Sequence, residues 1–167
     1  SQQRAAAARD AGHFARSLIP VCDVNGLPLL ERDEHPRPET TLERLAQLKP
    51  AFATLGRQGA LDALTRRAYP QLEAIEHVHT AGNASGIVDG AAAVLIGSRA
   101  RGEALGLRPR ARIVSAVSVG DDPVLMLWGP VPATRLALER ARLTLDEIDL
   151  FEVNEAFAAV PLAYAQE

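Results

Sequence analysis

An α/β fold is predicted by two observations. Runs rich in valine, isoleucine and leucine alternate along the chain with runs whose apolar residues recur at helical spacing, and glycine or proline punctuates the joins. The 167 residues, 47% of them hydrophobic, are enough for one domain with a sizeable core. Mean hydropathy is near zero and no apolar run approaches the roughly 18 residues of a membrane span, so no membrane association is expected. The opening Ser1-Gln2-Gln3-Arg4 lacks the charged-then-apolar order of a secretory signal, which makes a cytoplasmic protein the expectation. A net charge of -3, with arginines only in short patches such as Arg66-Arg67 and Arg108, Arg110 and Arg112, argues against nucleic acid as a partner.

The elements follow in order. Ser1 to Ala11 has a helical pattern, and Gly12 is placed to end it. Ile19 to Val24 and Leu27 to Glu31 read as a strand pair turned through Asn25-Gly26, where positive φ is tolerated. The only cysteine, Cys22, lies in the first of these strands; with no base nearby it reads as a buried, inert thiol. Prolines and mixed charge make 33–41 an exposed loop. Thr40 to Glu43 fits a capping box for a short helix that carries Leu42, Leu45 and Leu48 and ends near Lys49-Pro50. In 51–76, Gly56 and Gly59 interrupt the chain before Leu61, Leu64, Ala68 and Leu72 recur at helical spacing. Ile87 to Ser98 reads as a buried helix, Arg99 to Leu107 continues or closes it, and Ala111 to Val119 is a strand. Pro132 is placed as the first residue of a further helix. Thr144-Leu145-Asp146-Glu147 is a capping box for one turn, and Asp149 to Val153 reads as a buried strand.

Three segments carry the chemistry. Thr80-Ala81-Gly82-Asn83-Ala84-Ser85-Gly86 joins small and polar residues to an apolar run; Gly129-Pro130-Val131-Pro132 precedes a helix; Leu150-Phe151-Glu152-Val153-Asn154-Glu155-Ala156-Phe157-Ala158 ends a strand. In this order and spacing they resemble the thiolase family. The resemblance implies a partial thiolase fold, a layered αβαβα arrangement. It assigns 1–77 to the remainder of a loop domain, 78–118 to the end of the N-terminal core and 119–167 to the start of the C-terminal core. Family members attack with a cysteine upstream of this region and transfer protons with a histidine and a second cysteine downstream, so an internal slice of an enzyme is expected.

Each candidate residue has two readings. A strand-end asparagine such as Asn154 often serves only its own turn; the resemblance makes it catalytic, holding a water that stabilises the enolate oxygen of a thioester. Glu155 is a helix-start carboxylate or a loop-fixing group. Ala156 and Phe157 line the acyl pocket by resemblance, or simply pack, and the same pair of readings applies to Met126. Ser85 is an N-cap for the helix from Ile87, or by resemblance touches the pantetheine arm of coenzyme A, with Ala81 and Ala84 leaving room. Arg37, in His35-Pro36-Arg37, is a solvated loop charge or, by resemblance, lies near the adenine and phosphates of coenzyme A. His77 and His79 could share one face, but no third ligand is visible and no metal site is expected. The resemblance implies acyl-CoA as substrate, no permanently bound cofactor, and a homodimer or homotetramer. A non-catalytic acyl-CoA or lipid-binding protein is the alternative. Pro161 departs from the family pattern and predicts a helix starting late, since proline is tolerated only in a first turn.

Overall fold

The computed structural model describes all 167 residues, which divide into two units: Ser1–Phe52 with His77–Gly86, and Ala53–Glu76 with Ile87–Glu167. In the first unit, helix α1 (Gln2–Asp10) buries Ala6 to 2% exposure. It ends as the sequence predicts. Gly12 takes φ +75°, its N–H donates to the Arg9 carbonyl at 2.9 Å, and the His13 N–H donates to the Ala8 carbonyl at 3.0 Å. These two bonds satisfy carbonyls that the helix leaves open.

Strands β1 (Val21–Cys22) and β2 (Pro28–Leu30) form the predicted antiparallel hairpin. Gly26 alone takes the left-handed conformation, φ +82°, and its N–H donates to the Asp23 carbonyl at 3.1 Å. The Asp23 carboxylate accepts from the N–H groups of Leu27 and Asn25, both at 2.8 Å, and those bonds hold its pKa below the ordinary 3.8. Cys22 is exposed, contrary to expectation, because a lone two-stranded hairpin has no layer on either face. Helix α2 (Leu42–Ala46) is capped by Thr41, whose hydroxyl accepts from the Arg44 N–H at 3.2 Å, so the cap falls one residue after the predicted Thr40.

The second unit opens with α3 (Ala53–Gln58) and α4 (Leu61–Ala68), which pack together. Gly56, expected to break the chain, is instead buried inside α3. Helix α5 (Arg99–Ala104) is capped by the Ser98 hydroxyl, an acceptor for the Arg101 N–H at 3.3 Å. Helix α6 (Pro130–Ala141) begins at Pro130, two residues before the predicted Pro132, and buries Val131 to 5% exposure. Arg142 then takes φ 56° to end it. The Thr144–Glu147 box forms: the Thr144 backbone N–H reaches the Glu147 carboxylate at 2.8 Å and starts a 3-10 turn over Leu145–Glu147. Helix α7 (Ala159–Tyr164) carries Pro161 in its first turn, as proline requires.

Three predicted elements do not form within the chain. Residues 87–98 are exposed and non-helical, with Val94, Leu95 and Ile96 all open to solvent. A helix this apolar is stabilised by packing rather than by propensity, and Gly90 and Gly97 weaken it further; no layer of this chain covers it. Residues 111–119 and 149–153 have no ladder partners, since the only sheet is β1–β2. The first of them still shows period-two burial, with Ser115, Val117 and Val119 half-buried between exposed neighbours. Arg140 also donates to the Ala116 carbonyl at 3.4 Å.

Candidate functional site

The Thr80–Gly86 loop of the first unit is locked by its own polar residues. Thr80 is 7% exposed, and its N–H donates to Asn83 Oδ1 at 2.8 Å. Asn83 Nδ2 donates to the Val78 carbonyl at 2.9 Å, and the Thr80 hydroxyl accepts from the Gly82 N–H at 3.2 Å. Gly82 lies so close to Leu45 and Leu48 that a Cβ would come within 2.5 Å of both side chains. Gly86 rests on the ring of His35, where a Cβ would stand 2.8 Å from Nε2. At both glycines it is close approach, not positive φ, that a side chain would meet, and the atoms in the way are ends of side chains rather than backbone.

Arg37 is brought to this loop. Its N–H donates to Gln2 Oε1 at 2.7 Å, and Gln3 Nε2 donates to the Thr40 carbonyl at 2.9 Å, so α1 fixes the 37–40 segment. A cleft of about 160 Å³ results, lined by Arg37, Thr40, Arg44, Leu45, Leu48 and Gly82, with Gln2 and Glu39. Two arginines and one glutamate line it beside leucines, and Arg44 Nη1 donates to the Glu39 carbonyl at 3.1 Å, so the lining combines net positive charge with apolar surface. Ala81, Ala84 and Ser85 flank Gly82 in sequence without lining the cleft; Ala84 is half-buried, Ala81 and Ser85 exposed. No helix follows Ser85, so its expected N-cap role is not realised, and Ser98 caps the first helix after it. His79 meets Phe52 edge-on at 6.3 Å, and its carbonyl accepts from the Ala51 N–H at 2.8 Å.

The second unit holds Met126, Asn154, Ala156 and Phe157. Asn154 is exposed, five residues before α7, while Ala156 and Phe157 are half-buried. Its segment is steadied by Phe151, whose ring lies 5.9 Å from that of Tyr164, and by Tyr164 in turn, whose hydroxyl is 2.9 Å from the Thr134 hydroxyl on α6. Met126 is exposed with φ 50°, and Leu127 follows at 57°. Asp122 controls this turn: its carboxylate accepts from the Tyr69 hydroxyl and from the N–H groups of Val124 and Leu125 at 2.7 and 3.0 Å. The Tyr69 contact, with the two backbone bonds, holds the Asp122 pKa below 3.8. The same contact, with some desolvation, raises the Tyr69 phenol above 10.0.

Sequence reasoning missed Asn83, Thr80, Asp122 and Tyr69 as the groups that shape these segments. Asn83 three residues after Thr80, and Asp122 directly before a proline, carry local turn signals that could have found two of them. Tyr69 lies 53 residues from Asp122 and gives no such signal.

Residues 1–65 match the family model described as "Thiolase, N-terminal domain", and residues 107–167 match "Thiolase, C-terminal domain". The chain is 48% identical over 162 residues to a 3-ketoacyl-CoA thiolase of Cronobacter sakazakii, covering 95% of this chain and 37% of the relative. It is 44% identical over 169 residues to a beta-ketoadipyl-CoA thiolase of Pseudomonas aeruginosa, covering 100% of this chain and again 37% of the relative. Among solved structures, the Bacillus anthracis acetyl-CoA acetyltransferase superposes with TM-score 0.79 at 36% identity over 99% of this chain and 37% of its own. Human mitochondrial 3-ketoacyl-CoA thiolase gives 0.77 at 41% identity, over 99% and 36%. The α/β fold expected from the sequence is therefore that of the matching part of these proteins. The chain spans little more than a third of the length of the relatives it matches.

Proposed function

We propose, because the chain belongs to the thiolase family, that it forms part of an acyl-CoA C-acyltransferase. The reaction is thiolytic cleavage of a 3-ketoacyl-CoA, or the reverse Claisen condensation of acetyl-CoA. This chemistry needs a cysteine to carry the acyl group, a base for the proton α to a thioester, and donors for the resulting enolate oxygen. The chain supplies a share of the third and part of the coenzyme A groove. The observation that carries the reading is the cleft in which Arg37 and Arg44 stand beside Gly82 of the locked loop. A phosphate-bearing substrate on a thin pantetheine arm fits the cationic residues of the cleft, and the family resemblance, rather than the cleft lining, assigns the arm to Ala81, Ala84 and Ser85.

Asn154 is the catalytic residue of this reading. Its neutral amide is exposed, in contrast to the Asn83 amide, which is committed to backbone, and can orient a water toward the enolate oxygen. Met126, Ala156 and Phe157 line the acyl side. Residues 1–77 form the rest of a loop domain, 78–118 close the N-terminal core and 119–167 open the C-terminal core. The complete protein works in the cytoplasm as a homodimer or homotetramer, with coenzyme A only as substrate and no resident cofactor. No helix of the chain is long and apolar enough to cross a membrane.

The test is thiolysis of 3-ketoacyl-CoA by the complete protein, with the 167 residues alone as control. Activity is expected in the former and none in the latter. A complete protein that binds coenzyme A but neither cleaves nor condenses would replace the enzyme by the acyl-CoA-binding alternative.

A further inference from the structure

We propose that Tyr69 is a positioning residue: through Asp122 it fixes the turn that presents Met126, and so sets which acyl groups the complete enzyme accepts. This rests on the acyltransferase reading above. Two consecutive non-glycine residues, Met126 and Leu127, sit in the left-handed region at φ 50° and 57°. That conformation is disfavoured for each and persists only where surrounding contacts over-determine it. Asp122 supplies those contacts. Its carboxylate takes the Val124 and Leu125 N–H groups at 2.7 and 3.0 Å, and its carbonyl takes the Met126 N–H at 3.0 Å.

What orients Asp122 comes from far away in the sequence. Oδ2, the oxygen not used by the backbone, accepts the hydroxyl proton of Tyr69, which stands at the end of α4. Tyr69 and Asp122 are both half-buried, so the bond is partly shielded from competing water. The C-terminal end of α4 is thereby tied to a turn 53 residues downstream. A distant side chain tied to a strained turn is a means of tuning specificity without altering the reacting groups.

The experiment uses the complete protein with Tyr69→Phe, Asp122→Asn and the double variant. Steady-state kinetics are measured on acetoacetyl-CoA and on a long-chain 3-ketoacyl-CoA, with hydrogen exchange read at the Met126 amide. Tyr69→Phe is expected to speed that exchange and to shift the ratio of kcat/KM between the two substrates by about tenfold, the low end of what one contact in an apolar pocket discriminates. The double variant is expected to match Asp122→Asn alone, because both act through one bond. A merely structural role would lower both kcat/KM values together and leave their ratio fixed. A ratio unchanged within about twofold in both single variants, while Asn154→Ala still loses turnover, overturns the inference and leaves the acyltransferase reading intact. A wild-type protein without thiolysis removes both. Should Tyr69→Phe not fold, Asp122→Asn decides alone, since asparagine keeps the acceptor for the two backbone N–H groups.

Discussion

Replacing Asn83 by alanine would remove two of the three side-chain bonds of the 80–86 loop, and the two losses are unequal. The Val78 carbonyl belongs to an exposed residue, so water can replace Nδ2 there at little cost. The Thr80 N–H belongs to a residue 7% exposed, and water reaches it poorly. An unsatisfied buried donor costs about 1–3 kcal/mol. At a factor of ten per roughly 1.4 kcal/mol, local opening of the loop becomes about 5- to 150-fold more frequent. Hydrogen exchange of the Thr80 and Gly82 amides in the complete protein reads this directly, and the KM for acyl-CoA should rise with it. Asn83→Asp keeps the acceptor for Thr80 and loses only the bond to Val78, so it should recover most of the protection. Equal exchange in the alanine and aspartate variants would refute the reasoning, because the buried donor would then not be what locks the loop.

Asn154→Ala in the complete protein should lower turnover by about 10²-fold or more with an unchanged melting temperature; undiminished turnover removes Asn154 from the mechanism. Ser85→Phe should raise the KM for acyl-CoA, and an unaltered KM would place the pantetheine arm elsewhere. Arg142→Gly relieves a left-handed residue at φ 56° and should stabilise the second unit by about 1 kcal/mol, seen as a higher urea midpoint; a lower midpoint would mean that the Arg142 side chain matters more than its backbone. Glu147 titrates below its ordinary 4.5 because the Thr144 N–H and hydroxyl both reach its carboxylate. Its stabilising effect is therefore present above that unfolded value and fades as pH falls through the lower folded one. NMR titration of Glu147 at or above 4.5 would contradict the capping box.

Features set by a few neighbouring residues were legible in the sequence. Gly12 ends α1, Asn25-Gly26 turns the hairpin, and Thr144 with Glu147 builds a box, because each bond involved spans only a few positions. Small displacements, Thr41 for Thr40 and Pro130 for Pro132, reflect caps and starts that neighbouring residues fill equally well. Elements whose stability comes from distant partners were not legible. Residues 87–98, 111–119 and 149–153 have the composition of buried helix and strands, yet composition does not name the layer that buries them. The same limit applied to Cys22, whose strand has a partner but no cover. Of the candidate site, Arg37 and the glycine loop came together in one cleft, whereas the groups that shape the loop and the Met126 turn emerged only from hydrogen bonds.

The uncovered run after Ile87 has a practical consequence. From Gly90 to Gly97 the chain carries no charge and no proline, and Ala91-Ala92-Ala93-Val94-Leu95-Ile96 combines apolar character with β-branched side chains. Such a window, open to solvent, is a point at which copies adhere to one another. Only Asp89 and Arg99 stand guard at its edges. A charged residue placed in this stretch should therefore raise the yield of usable material, since it would keep copies apart.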